Sequence, residues 1–193
     1  ALIKASMSNK IYQFHDLTSG HHRGDHMAEE SSDKLMKQAY QSLGDGDYQK
    51  ALSKFEKVTK VDPNNAEAWF GKAEAAVLVP KVKTEDILTA YKKAAELDPK
   101  NPMYHSSMGS FCVEAGLFND AEAAYKKAAE LDPDNAAYYY SEFGVEYFKR
   151  APVVMEAYMD DKTEEMVIKK SLKYLLLSIG LDEAGALELL QRK

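Results

Sequence analysis

Few side chains in this sequence have the type and spacing to do chemistry. His22 and His26 lie four apart and would share a metal ion if they stood on a helix. Gly20 and Gly24 weaken a helix there, so only adventitious metal binding is expected. Arg23-Gly24-Asp25 spells an integrin-recognition tripeptide, a motif too short to set against chance or vector sequence. Cys112 is the single cysteine, which excludes an internal disulfide and a cysteine-based zinc site; beside Met108 and Gly109 it reads as a small core residue. The paired acids Asp160-Asp161 and Glu164-Glu165 read as a solvated helix face. There is no glycine-rich phosphate loop, no nucleophile elbow and no His-Glu pair at metalloprotease spacing. The expectation is a protein that is not an enzyme, with no catalytic residue, no cofactor and no metal.

Charge and hydropathy narrow the partners. A formal net charge of -6 argues against neutralising a nucleic-acid backbone or binding an anionic membrane surface. The longest apolar burst, YLLLSIGL at 174–181, is far below the length of a membrane span. A cytoplasmic protein with a protein or peptide partner is expected. Residues 1–26 hold four of the five histidines and little periodicity, and His26-Met27 matches the junction a cloning site leaves before a start codon. They read as an expression tag or disordered leader, with Met27 as the native start.

From residue 27 onward the sequence repeats. YKKAAELDPKNP at 91–102 returns as YKKAAELDPDNA at 125–136, and a looser copy, FEKVTKVDPNNA, begins at 55. Counting back from Pro63, Pro99 and Pro133 gives three sets in phase: Ala51, Phe55 and Val58; Ile87, Tyr91 and Ala94; Ala121, Tyr125 and Ala128. The spacing 0, 4, 7 is one face of a helix, with small residues that let a neighbour approach. Asp-Pro ends each helix, because proline disfavours helical backbone in the residue before it. Asn65, Asn101 and Asn135 are predicted to cap the helix that follows, and Pro102 suits its first position. Ala39, Ala73 and Gly109 mark an earlier helix in each unit. Glycine-bearing turns at 44–49 and 114–119 join the two helices, with a longer turn around Val79-Pro80-Lys81.

These positions resemble the tetratricopeptide repeat, a helix–turn–helix unit of 34 residues. The resemblance covers three units, 32–65, 66–101 and 102–135, with Trp69 where the family favours tryptophan and with Val58 and Ile87 at normally small positions. It implies an all-α, right-handed superhelical solenoid. Residues 136–193 are read as a degenerate fourth repeat with an insertion at 151–170 and a C-terminal capping helix at 182–193.

Such arrays bind partner segments in a concave groove lined by the first helix of each unit. The resemblance carries that role to Asp33, Met36, Tyr40 and Leu43, to Glu67, Phe70, Glu74 and Val77, and to Met103, Ser106, Ser110 and Val113. In the fourth helix it carries it to Tyr140, Gly144 and Tyr147. Relatives that clamp acidic chaperone tails use lysine, asparagine and arginine, but the matching positions here are Met36, Tyr40, Gly71, Met103 and Ser107, which cannot pair a carboxylate as a cation does. The expected function is an adaptor or scaffold, with a chaperone-like variant that holds a substrate. The alternative is a self-assembling module in which residues 151–193 fill the chain's own groove or a neighbour's, making a homo-oligomer.

Overall fold

The structure is a computed structural model that describes residues 26–191; the histidine pair, the tripeptide and the leader expected at the N-terminus lie outside the described residues, apart from the backbone of His26. The described residues are helical, and the chain divides into two compact units, Ala1–Val79 and Pro80–Lys193. The division falls within the second expected repeat, 66–101.

The first unit holds α1 (His26–Gly44), α2 (Tyr48–Val61) and α3 (Ala66–Val77). Gly46 takes a left-handed backbone, φ 79°, which closes the tight turn between α1 and α2. The Asp47 carboxylate accepts the Lys50 amide at 3.2 Å and caps α2. Ala51, Phe55 and Val58 are buried as the spacing predicts, and the Tyr40 ring stands edge-on to Phe55 at 5.2 Å. The next helix is capped by Asn65, whose side chain accepts the Ala68 amide at 2.8 Å. Gly71 lies so close to the Phe55 ring that a Cβ there would collide with it.

The second unit holds α4 (Thr84–Leu97), α5 (Pro102–Glu114), α6 (Phe118–Leu131), α7 (Ala136–Val154), α8 (Asp161–Ser178) and α9 (Glu183–Gln191). Ile87, Tyr91 and Ala94, then Ala121, Tyr125 and Ala128, form the predicted buried faces of α4 and α6. Gly116, at φ 76°, turns α5 into α6. Asn101 caps α5 through the Met103 amide at 3.1 Å, with Pro102 at the first helical position. A Cβ on Gly109 would sit 2.8 Å from the Tyr125 ring, so the missing side chain sets the closeness of α5 and α6.

The fourth hairpin is α7 and α8. Its junction departs from the earlier ones: Pro133–Asn135 is a turn of 3-10 helix, and Asn135 does not cap as predicted. Its amide nitrogen donates back to the Asp132 carboxylate at 2.9 and 3.1 Å, as that of Asn101 does to Asp98 at 3.3 Å. On α8 the buried residues are Val167, Ser171 and Tyr174, again spaced 0, 4, 7, with the aromatic residue moved to the last place. Gly144 faces them: a Cβ there would lie 3.1 Å from the Ser171 carbonyl oxygen and 3.2 Å from the Tyr174 Cβ.

Candidate partner-binding surface

Gly144 does for the fourth hairpin what Gly109 does for the third, since each lets the second helix of its own hairpin come close. The two are 35 residues apart, one more than the repeat length. α5 and α7 themselves start 34 residues apart, at Pro102 and Ala136, so the hairpin contact falls one position later along α7, which turns its contact face by about 100° relative to a strict 34-residue count.

This rotation corrects the sequence-predicted surface in α7. Tyr147 is buried between Phe118 and Phe143, with ring centroids at 5.0 and 5.6 Å. Tyr140 is half-buried with its ring 6.0 Å from that of Tyr174, and Gly144 faces α8. These three pack the hairpin. The exposed apolar line of α7 is Tyr138, Val145 and Phe148, at 50%, 37% and 52% exposure, with Ser141 between them. They follow Met103, Ser110 and Val113 of α5 by 35 residues.

Elsewhere the predicted positions divide. Met36, Leu43, Phe70, Glu74, Ser106 and Val113 are buried and offer no surface to a partner. The Ser106 hydroxyl donates to the Met103 carbonyl at 3.2 Å. Asp33 is exposed, and Tyr40, Glu67, Val77, Met103 and Ser110 are half-buried. Within the second unit, Met103 and Ser110 of α5 and Tyr138, Ser141 and Val145 of α7 are among the side chains that remain accessible along the first helices.

Electrostatics ties this face together. Burial, then the Glu142 carboxylate, pushes the Tyr138 hydroxyl up to about 12. Burial and then the Glu142 charge also hold the Tyr125 hydroxyl high, opposed by Ser110. Ser110 of α5, Tyr125 of α6, and Tyr138 and Glu142 of α7 therefore form one neighbourhood, in which both tyrosine hydroxyls are held neutral. Arg150 closes the far end, donating from Nε and a terminal nitrogen to the Glu114 carbonyl at 3.1 and 2.9 Å.

A second polar cluster sits between α6 and α8. Glu122 accepts from Lys170 at 2.8 Å and from the Tyr174 hydroxyl at 2.5 Å. Burial would raise the Glu122 pKa, but these bonds and the charges of Lys170 and Lys173 together hold it below the ordinary carboxylate value. Lys173 also bonds Glu183 at 2.9 Å and pins α9 to α8. An open depression of about 490 Å³ between α8 and α9 is lined by Lys162, Met166, Lys169 and Leu187. Cys112 is buried, and burial first, then Asp120, pushes its thiol up to about 12, which disfavours the thiolate.

Two tetratricopeptide-repeat models match the sequence, one over residues 36–102 and one over 104–135, together about half of its length. The chain belongs to the tetratricopeptide repeat family. The repeat fold recurs in solved structures. One crystal structure of MamA aligns at a TM-score of 0.56 with 17% identity, covering 78% of this chain and 81% of MamA. PilW, described as a widely conserved type IV pilus biogenesis factor, aligns at 0.53 with 17% identity, covering 82% of each chain. A mutant of the Thermobaculum terrenum O-GlcNAc transferase aligns at 0.55 with 19% identity over 76% of this chain, but only 26% of the transferase is spanned. At these identities the likeness establishes the fold. No curated protein sequence matches the chain. As a tetratricopeptide repeat protein it is a protein–protein interaction module. No described helix is long and apolar enough to cross a membrane.

Proposed function

We propose that this repeat protein is an adaptor or scaffold, without catalytic activity, that captures a partner segment along the first helices of its second unit. The observation that carries the reading is the exposure of Tyr138 and Val145 on α7, a helix that packs against α5, where Met103 and Ser110 stay half-buried. Aromatic and apolar side chains left open on a rigid helix face are the usual anchors of a bound peptide. The neutral hydroxyls of Ser110, Ser141 and Tyr138 can orient its backbone. No cation stands at the positions that clamp acidic chaperone tails, so the fitting partner is an apolar or aromatic segment. A cytoplasmic setting belongs to the same proposal.

The test is a random-peptide display selection against the full chain. Selected peptides should be rich in apolar residues at helical or extended spacing. Their affinity should fall at least about tenfold when Tyr138→Ala and Val145→Ala are combined, with the circular-dichroism melt unchanged. Selected peptides that bind the double variant as tightly as wild type would place binding elsewhere.

A further inference from the structure

The last hairpin ends in an apolar edge that no other described residue covers. In the third hairpin, Ser106 and Val113 of α5 are closed from solvent, Val113 to 1% exposure, where α7 packs on α5 and α6. Their counterparts 35 residues on are Ser141 and Phe148, and Phe148 is 52% exposed. The edge continues onto α8. Leu175 lies 3.4 Å from the position of a Gly144 Cβ. Ile168 and Leu172, seven and three residues before Leu175, follow on the same side of the helix, and Ile179, four after it, extends the line. These three are 38%, 43% and 73% exposed.

A further first helix would lie here in a longer array, and α9 does not take that place. It is only nine residues long, and Lys173 and Lys126 hold its Glu183 on the side of α8 that carries the Glu122 cluster. The leading edge of the array is different in kind. Tyr104 and Phe111 of α5 are apolar where they meet the helix before, Phe111 with its ring 5.7 Å from Tyr91. At the matching places in α1 stand Lys34 and Gln41, both exposed. Among the described residues, these two α1 positions therefore offer no apolar counterpart to the trailing edge.

The geometry points to a homodimer in which two copies bury this trailing edge against each other, tail to tail about a twofold axis. Phe148, Ile168, Leu172 and Ile179 leave roughly 400 Å² of apolar surface open, given that a large side chain buries ~150–250 Å² when fully enclosed. A standard interface takes about 800 Å² from each partner, a little over half of it apolar. The patch supplies most of that, and a twofold axis would set the same apolar side chains of both copies against each other, as an isologous contact requires.

Sedimentation equilibrium of the full chain across about 1–100 µM, the range in which such interfaces associate, tests this. The expected result is a mass rising to twice 21.6 kDa. Leu172→Glu should weaken the association at least tenfold, and the Tyr138→Ala, Val145→Ala pair should leave it unchanged. Because Cys112 is buried, Leu172→Cys supplies one accessible thiol, which should form a disulfide-linked dimer on mild oxidation, while Val61→Cys, exposed in the first unit, should not. The cysteine variant carries the test if the charged one fails to fold. A monomer throughout the range overturns the proposal, as would a dimer untouched by Leu172→Glu with no crosslink at position 172. Peptide capture by a monomeric Leu172→Glu protein would still stand, so the two proposals fail separately.

Discussion

The third and fourth hairpins are built by the same rule and finish differently. In each, a glycine on the first helix lets the second helix approach, Gly109 toward Tyr125 and Gly144 toward Ser171 and Tyr174. In each, three residues spaced 0, 4, 7 bury the facing side of the second helix. The third hairpin is then covered by α7, so that Val113 vanishes into the core, while the fourth leaves Phe148 open. The fourth also gains polar fastening across α6 and α8 through Glu122, Lys170 and Tyr174. Similar local packing thus yields core in one hairpin and an open apolar edge in the next, and the neighbour decides which.

The comparison is broken most severely by placing a charge at the two matched positions. Val113→Glu leaves an uncompensated charge in a closed core and should cost about 3 kcal/mol or more. Phe148→Glu, on the open edge, should shift stability by less than about 0.5 kcal/mol in dilute monomer, as surface changes do. Urea unfolding of both variants checks the pair, and equal losses would mean that the hairpins are covered alike. A smaller effect sharpens the polar difference. Glu122→Gln should cost about 1.5–3 kcal/mol at pH 7, the range for hydrogen bonds to a charged group. Because the folded pKa of Glu122 lies below the ordinary 4.5, its contribution is complete above that pH. It is lost as pH falls through the lowered folded value. The gap between wild type and Glu122→Gln should therefore close in acid, and a gap constant with pH would remove Glu122 from the fastening of α8.

Much of the fold was legible because repetition makes helical phase visible. Phe55, Tyr91 and Tyr125, with their small companions, are buried as the spacing required, and Asp-Pro ends each of those helices. The surface of α7 was not legible from a count of 34. The stretches LDPKNP and LDPDNA differ at two places, yet the first is fixed by Pro102 at the start of α5 and by the Asn101 cap. The two turns are equal in length, and Asn101 and Asn135 each bond back to the preceding aspartate, but Ala136 replaces that proline, Asn135 makes no cap, and the hairpin contact comes one residue later along the helix. Gly144 was the available signal, since a glycine in a first helix had already marked the close approach at Gly109. In the earlier helices Met36, Phe70 and Ser106 were placed on the surface by family analogy. Burial depends on which helices pack over them, and helical phase alone does not carry that.

The rotation of α7 is the claim on which both proposed surfaces rest, and thiol labelling reads it directly. The native Cys112 is fully buried with a raised pKa, so it gives little background in the folded chain. Single cysteines at Tyr138→Cys, Val145→Cys, Tyr140→Cys and Tyr147→Cys would be mixed with an aromatic disulfide reagent in dilute protein. Positions 138 and 145 should react at the rate of a free thiol. Position 147 should react only as fast as the chain opens, and position 140 in between. Fast labelling at 140 and 147 with protection at 138 and 145 would restore the 34-residue register and contradict the account.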